Sequence, residues 1–284
     1  MTGKRLAGAV FLAVAAGVVG LAWNSLRGSE AAGPAVPPAK PIRAVVVTGG
    51  HGFEEGAFLG LFEGYDDIAA VHAPQKDDSE IFEDIAEWPY DVIVLYNMTQ
   101  KISEKRRQNF LGLLDRGVGL VVLHHAFAAF QDWPEFEKII GTRYYLKETV
   151  VDGVKRLEGA YRHDVDFAIH VEDPEHPIAK GLADFEVRDE GYRNQTYAPD
   201  NHLLLSTDNA ASEKQIAWVR TYKNARVFCT SLGHGLQAFT SEPFRRIVAR
   251  AIRWTAKRNV GRDDAAPTEA ASGRTGHTGS SETR

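Results

Sequence analysis

Imidazoles stand at several points where an apolar run of the chain gives way to glycine or to polar residues. His51 follows RAVVVTGG, His124 and His125 end GLVVLHH, and His234 lies in SLGHG with a glycine on either side. Histidine changes charge near neutral pH, and its ring nitrogens can take a proton, give one up or bind a metal. Carboxylates come from VRDEGY, in which Asp189 and Glu190 precede Tyr192. Imidazole beside carboxylate is the pairing that general acid–base catalysis uses, and it is also a donor set for a divalent cation. His124 and His125 are adjacent, so if both stay extended their rings point to opposite faces and at most one meets a given pocket.

The segment YRHDVDFAIHVEDPEHPIAKGL adds His163 before an apolar-alternating stretch and His176 in a turn. His170 alternates with Phe167, Ile169 and Val171 and belongs to the polar face of a strand. With Asp189, Glu190 and Tyr192, this segment can fold over the strand ends and supply an acid or a base. Asp132-Trp133-Pro134-Glu135 has two readings. It is a helix entry with Asp132 as cap and Pro134 in the first turn, and Trp133 is either a core residue or a flat face for a sugar ring. The sequence has no H-E-x-x-H and no G-x-S-x-G, and GGHGFEEG lacks the spacing of a dinucleotide loop. Metal ligands would therefore come from scattered loops. The only cysteine, Cys229, excludes a disulfide framework and a multi-cysteine zinc site.

The elements that must position these groups alternate. RAVVVTGG, DIAAVHAP, YDVIVLYN and GLVVLHH read as strands. The first is followed by a helical face of Phe58, Leu61 and Phe62, and the third by a helix that Ser103 caps and Gly117 ends. Such alternation implies a parallel sheet with right-handed crossovers. DFAIHV, DFEVR, HLLLST, QIAWVRTY and ARVFCTSLG are further strands. Ser241, Pro243 and the stripe Phe244, Ile247, Val248, Ala251 and Ile252 mark a last helix. Ligands bind beyond the carboxyl ends of strands in open parallel sheets, which is where His51, His124 and His234 fall.

The formal charge of −5 leaves no broad basic face, so nucleic acid is not an expected partner. Lys4 and Arg5 precede eighteen uncharged, mostly apolar residues, Leu6 to Trp23. Residues 1–23 thus read as a signal peptide or N-terminal membrane anchor, with the rest exported to the periplasm or held at the outer face of the cytoplasmic membrane. Residues 24–41 are a Pro/Ala-rich linker, 42–258 the folded domain and 259–284 a disordered tail.

Three stretches taken in order resemble one family: LHHAFAAFQDWPEFEKIIG, EDPEHPIAKGLADFEVRDEGY, and QIAWVRTYKNARVFCTSLGHGLQAFTSEPFRRIVARAIRW. They resemble the ThuA-like domain of trehalose-utilisation proteins, within the class I glutamine-amidotransferase-like superfamily, over about residues 42 to 257. The resemblance implies a three-layer α/β/α flavodoxin-like sandwich with a mostly parallel sheet, and an irregular β-containing insertion is read at about 142 to 200. It favours His124 over His125, and it matches His176-Pro177 and Asp189-Glu190-x-Tyr192 to family motifs. Amidotransferases carry a nucleophilic cysteine in the turn that here holds HHAF, so glutaminase activity is expected to be absent. The family points to sugar catabolism, often beside sugar dehydrogenases that make 3-keto glycosides.

Two functional classes follow. In one, the chain is an exported enzyme acting on a glycoside or 3-keto glycoside by acid–base or metal-assisted chemistry. His124, His234, Glu190 and Asp189 are then its catalytic candidates, and Trp133, Tyr192, His51, His176 and Asp132 its substrate-binding candidates. A divalent metal would take ligands from His124, His163 and His234. In the other, the chain is a non-catalytic carbohydrate-binding module tethered to the membrane. A scaffold whose rim histidines are merely satisfied core groups is the third reading.

Overall fold

A computed structural model describes residues 40–261 apart from position 77. The signal or anchor segment, nearly all of the linker and nearly all of the tail expected from the sequence lie outside the described residues. Among the described residues no helix is long and apolar enough to cross a membrane.

The chain runs β1 (Ile42–Gly49), α1 (Glu55–Leu59), β2 (Ile68–Pro74), β3 (Val92–Asn97), α2 (Glu104–Asp115), β4 (Gly119–Leu123) and α3 (Pro134–Ile140). It continues through β5 (Thr142–Arg143), β6 (Thr149–Val151), β7 (Val154–Arg156), β8 (Ala160–Val171), β9 (Phe185–Arg193), β10 (Thr196–Tyr197), β11 (His202–Ser206), β12 (Gln215–Tyr222) and β13 (Ala225–Thr230). The last elements are α4 (Leu236–Thr240) and α5 (Glu242–Thr255).

Nine strands form one sheet in the order β2-β1-β3-β4-β13-β12-β11-β8-β9. The ladders from β2 to β13 are parallel and those from β13 to β9 are antiparallel. Followed through those ladders, only β12 and β8 run against the rest, so most strands point the same way. The carboxyl ends of β1, β3, β4, β13 and β9 consequently face one edge. Continuous apolar runs in β3 and β4 are buried throughout, as a sheet covered on both faces requires.

One face packs Val46, Val94, Tyr96, Val121 and Phe228 against Phe58, Leu61 and Phe62 and against the stripe of α5. The other packs Val45, Val47, Ile93, Leu95, Val122 and Cys229 against Phe110, Leu113 and Leu114 of α2 and Phe136, Ile139 and Ile140 of α3. Ser103 accepts the backbone N–H of Arg106 and so satisfies one of the orphan donors of α2. The three-layer α/β/α sandwich expected from the sequence is therefore present. Its second half is more regular than expected, because β8 and β9, read as part of an irregular insertion, extend the main sheet. Only β5, β6, β7 and β10 stand apart, as two small two-stranded sheets.

Glycine is needed where β1 leaves the sheet. Gly49 and Gly50 take positive φ, and a Cβ on them would meet the Gln75 carbonyl oxygen at 2.3 Å and the Met98 carbonyl carbon at 2.6 Å. After β4 the backbone turns sharply. His124 adopts a left-handed φ of 50°, a short 3-10 turn runs from His124 to Ala128, and Phe130 is left-handed at 54°. Non-glycine residues take this conformation only when their surroundings fix it.

Arg143 is one such fixture. Its guanidinium is buried and donates to the Ala129 and Phe130 carbonyls at 2.7 and 3.1 Å and to the Trp133 carbonyl at 2.7 Å. Removing it takes the side-chain donor from the Ala129 carbonyl in the interior, where an unmade bond costs about 1–3 kcal/mol, and leaves the Phe130 and Trp133 carbonyls with the backbone N–H groups of Trp133 and Phe136 alone. Arg143→Met is expected to lower unfolding stability by about 3 kcal/mol. Urea denaturation would show this as an earlier midpoint with an unchanged slope, and an unmoved midpoint would remove Arg143 as the fixture of the turn.

Candidate functional site

The turn after β4 places His124 beneath the sheet edge, fully buried. Its Nδ1 lies 2.6 Å from the Ser231 carbonyl oxygen, which can only accept, so Nδ1 carries the proton and donates it there. In the neutral ring Nε2 then bears a lone pair. Around Nε2 lie the Tyr192 hydroxyl at 2.8 Å, Glu190 Oε2 at 3.2 Å and His234 Nδ1 at 3.2 Å. His234 Nδ1 is also 3.4 Å from Glu190 Oε2, and His163 Nδ1 is 2.9 Å from Glu190 Oε1. One carboxylate thus meets three imidazoles that come from residues 124, 163 and 234.

Strand periodicity explains the carboxylates. Glu190 and Tyr192 are two apart on β9 and share a face, and both enter the cluster. Asp189 turns to the backbone after β13. Its oxygens accept from Gly233 N at 2.6 Å, His234 N at 2.8 Å and Glu190 N at 2.9 Å. Gly233, at φ 114°, is fixed from the other side by the Tyr96 hydroxyl, which donates to its carbonyl at 2.8 Å. The loop that carries His234 is therefore pinned on both sides.

Charge is shared unequally across this group. Burial disfavours the ionised Glu190 carboxyl, but bonds to His124 and His234 win and hold it well below the usual carboxylate range. Glu190 in turn holds His234 above the usual imidazole value, against partial burial. His125 is pushed well below it, chiefly by burial and then by the neighbouring imidazoles. Burial raises the Asp189 carboxyl, opposed by His124 and the three backbone donors. The Tyr192 hydroxyl is raised by burial and by Glu190, so it remains a donor.

The cluster forms one wall of a cavity of about 260 Å³. His51, His125, His163, His234 and Glu190 line it, with Tyr144, Tyr161 and Tyr192 supplying aromatic surface. His51 stacks on His125 with ring centroids 4.6 Å apart. Among the described residues, one group of at least three His, Cys, Asp or Glu side chains could hold a metal: His124, Glu190 and His234, with donor atoms within 4.8 Å of one another.

Of the residues singled out in the sequence, the structure brings together His51, His124, His163, Glu190, Tyr192 and His234, with Asp189 directly behind. It does not bring in Trp133, which is buried with Phe110, Phe130 and Phe136 in the core and cannot reach a sugar. Asp132 is exposed beside it, and the cap of α3 is the Trp133 backbone rather than the Asp132 side chain. His176 is also elsewhere. Its ring lies 5.2 Å from Trp254 and 5.8 Å from His202, and its Nδ1 accepts the Ile178 N–H.

Sequence reasoning missed His125, Tyr144 and Tyr161. His125 was expected to point away from His124 because an extended chain was assumed. The left-handed turn swings both rings to the same side, 5.6 Å apart. The two tyrosines carry no local signal, since only long-range packing brings them to the rim.

A family model described as trehalose utilisation, ThuA, matches residues 46–255. Two solved structures of ThuA-like proteins share the fold. One, from Parabacteroides merdae, has a TM-score of 0.65 at 21% identity, covering 76% of this chain and 90% of that one. The other, from Bacteroides uniformis, has 0.56 at 22%, covering 80% and 98%. A cytoplasmic protein from Salmonella typhimurium LT2 has 0.51 at 12%, covering 75% and 99%. No curated protein sequence matches the chain.

His176 generates a pH prediction that is separate from the cluster. Burial, followed by His202, lowers its pKa from 6.5 to about 4, with Asp173 opposing and Arg226 assisting. The unfolded ring protonates first as pH falls, so this contribution to stability is complete above about pH 6.5 and is lost toward about pH 4. His176→Gln is expected to flatten the fall of the thermal midpoint across that window. An unchanged profile would show that the ring titrates alike in both states.

Proposed function

Because the chain belongs to the ThuA family of trehalose utilisation, we propose that it transforms a glycoside or 3-keto glycoside in the cavity beside Glu190. The observation that carries this reading is the carboxylate of Glu190, buried and in contact with three imidazoles on a wall of an aromatic-lined cavity. A module that only binds sugar needs the tyrosines and has no use for such a cluster.

The two oxygens of Glu190 have different neighbours, which divides the work. Oε1 meets His163, whose side chain is about half exposed and lines the cavity. A carboxylate on Nδ1 orients the ring and leaves its other nitrogen to take a proton. Oε2 meets His124 and His234, where positive charge gathers and an oxyanion would be stabilised. His124 is fully buried and acts through its neighbours, as a positioning residue.

On a 3-keto glycoside, His163 removes the proton from C2, which the adjacent keto group acidifies. The C2–H electrons form the C1–C2 double bond, the bond from C1 to the aglycone oxygen breaks, and that oxygen receives a proton from the imidazolium. Charge developing on the keto oxygen is met from the His234 side. The keto substrate would come from a sugar dehydrogenase. The sole cysteine, Cys229, is buried in β13 with its thiol donating to the Ile140 carbonyl and its pKa raised by burial, which supports a reading without glutaminase chemistry. The apolar run Leu6–Trp23, preceded by Lys4 and Arg5, supports an activity outside the cytoplasm.

Turnover of a 3-keto disaccharide and of its unoxidised parent by the purified full chain tests it. Glu190→Gln and His163→Ala are each expected to lower kcat by about 100-fold or more, the usual span for a general base. Tyr161→Ala should instead raise KM. Sugar binding seen by calorimetry with no product from either compound would leave a binding module in place of an enzyme.

A further inference from the structure

We propose that His124 Nε2, Glu190 Oε2 and His234 Nδ1 form a binding site for one divalent first-row cation of the zinc class. This deepens the reading above and rests on the same cluster, but it concerns what occupies the cluster rather than what the cavity turns over.

The distances accommodate a cation. A charge-assisted N–H to carboxylate bond closes to about 2.7–2.9 Å. His163 does so, at 2.9 Å from Oε1. His124 and His234 do not, at 3.2 and 3.4 Å from Oε2, and they are 3.2 Å from each other. Ligands about 2.0–2.1 Å from a tetrahedral ion stand about 3.3 Å apart. All three edges of the triangle match that figure, so one ion fits against the three donors with a coordination position left over.

The surroundings agree. A ligating imidazole is ordinarily held by a hydrogen bond from its other ring nitrogen, which fixes the tautomer. His124 has this bond, from Nδ1 to the buried Ser231 carbonyl. Glu190 has its counterpart, since Oε1 is bound by His163 while Oε2 is left to the triangle. His234 is fixed through its own backbone by Asp189. Nitrogen and carboxylate donors without thiolate suit zinc, manganese or iron(II) rather than a soft ion. An ion there would polarise a substrate oxygen from the same side that His234 serves in the reaction above.

The test is metal content and binding, with no turnover in the readout. Full-length protein purified without chelator is analysed for elements, then stripped and titrated with zinc chloride. Cobalt(II) serves as a spectroscopic probe of the coordination geometry. One equivalent is expected, with a tetrahedral or five-coordinate cobalt spectrum and a raised melting temperature. His234→Ala and Glu190→Gln should weaken binding by at least 100-fold. His163→Gln should keep one equivalent with a loss of about tenfold, the span for an outer-shell partner. Circular dichroism of the variants distinguishes a lost site from a lost fold. Should a variant not fold, wild-type stoichiometry and the cobalt spectrum decide alone. No equivalent bound, a six-coordinate cobalt spectrum of an exposed site, or undiminished binding in His234→Ala and Glu190→Gln would overturn the site. A chain that binds no metal yet turns over sugar loses the metal and keeps the reaction. A chain that binds metal yet transforms no sugar does the reverse.

Discussion

The carboxylate of Asp189 ties the last strand of the sheet to the turn that follows β13, accepting both Gly233 N and His234 N. β9 lies at the far edge of the sheet from β1, and β13 lies near its centre. Nothing in the ladder brings β9 next to β13, because β12, β11 and β8 stand between them. A carboxylate accepting backbone N–H groups in the interior is among the stronger polar contacts a protein makes. Here it closes a gap that strand pairing leaves open. Once it is made, the next residue of β9, Glu190, is delivered to the ring of His234.

The cluster is then an electrostatic consequence of burial. A carboxylate removed from water must be matched by hydrogen bonds or positive charge. Glu190 is matched by three imidazoles and by Tyr192, none of them from its own stretch of chain except the tyrosine. The inner member, His124, occupies a left-handed backbone position at the end of β4. The His124 ring is held by the Ser231 carbonyl, and the end of the turn that follows it is held by Arg143. Strain of this sort persists where the fold over-determines it, and it puts a ring where an extended strand would have placed a backbone.

Much of this was legible in the sequence, for definable reasons. Their place at strand ends marked His51, His124 and His234, because parallel sheets collect ligands at that edge. The alternation of strand and helix gave the parallel sheet, and the resemblance to the ThuA-like domain implied the three layers and selected His124. The misreadings have physical causes as well. DFEVR reads as a strand, but the charges and glycine of VRDEGY hide its continuation, and β9 runs on to Arg193. Trp133 and His176 have the right side chains in the wrong place, and only packing tells where a side chain points. His125 and the tyrosines of the cavity depend on a positive φ and on contacts distant in the chain, neither of which a pattern of residue types records.

The claim on which the account turns is that Asp189 holds the His234 loop against Glu190. Backbone amide hydrogen exchange, followed residue by residue, tests it most directly. Gly233 and His234 lie outside any strand or helix, so their N–H groups would exchange at loop rates unless the carboxylate protects them. The account predicts protection comparable to the interior amides of β13, lost at these two positions in Asp189→Asn while β13 itself stays protected. Fast exchange at Gly233 and His234 in the wild-type protein, or protection that survives the substitution, would contradict it.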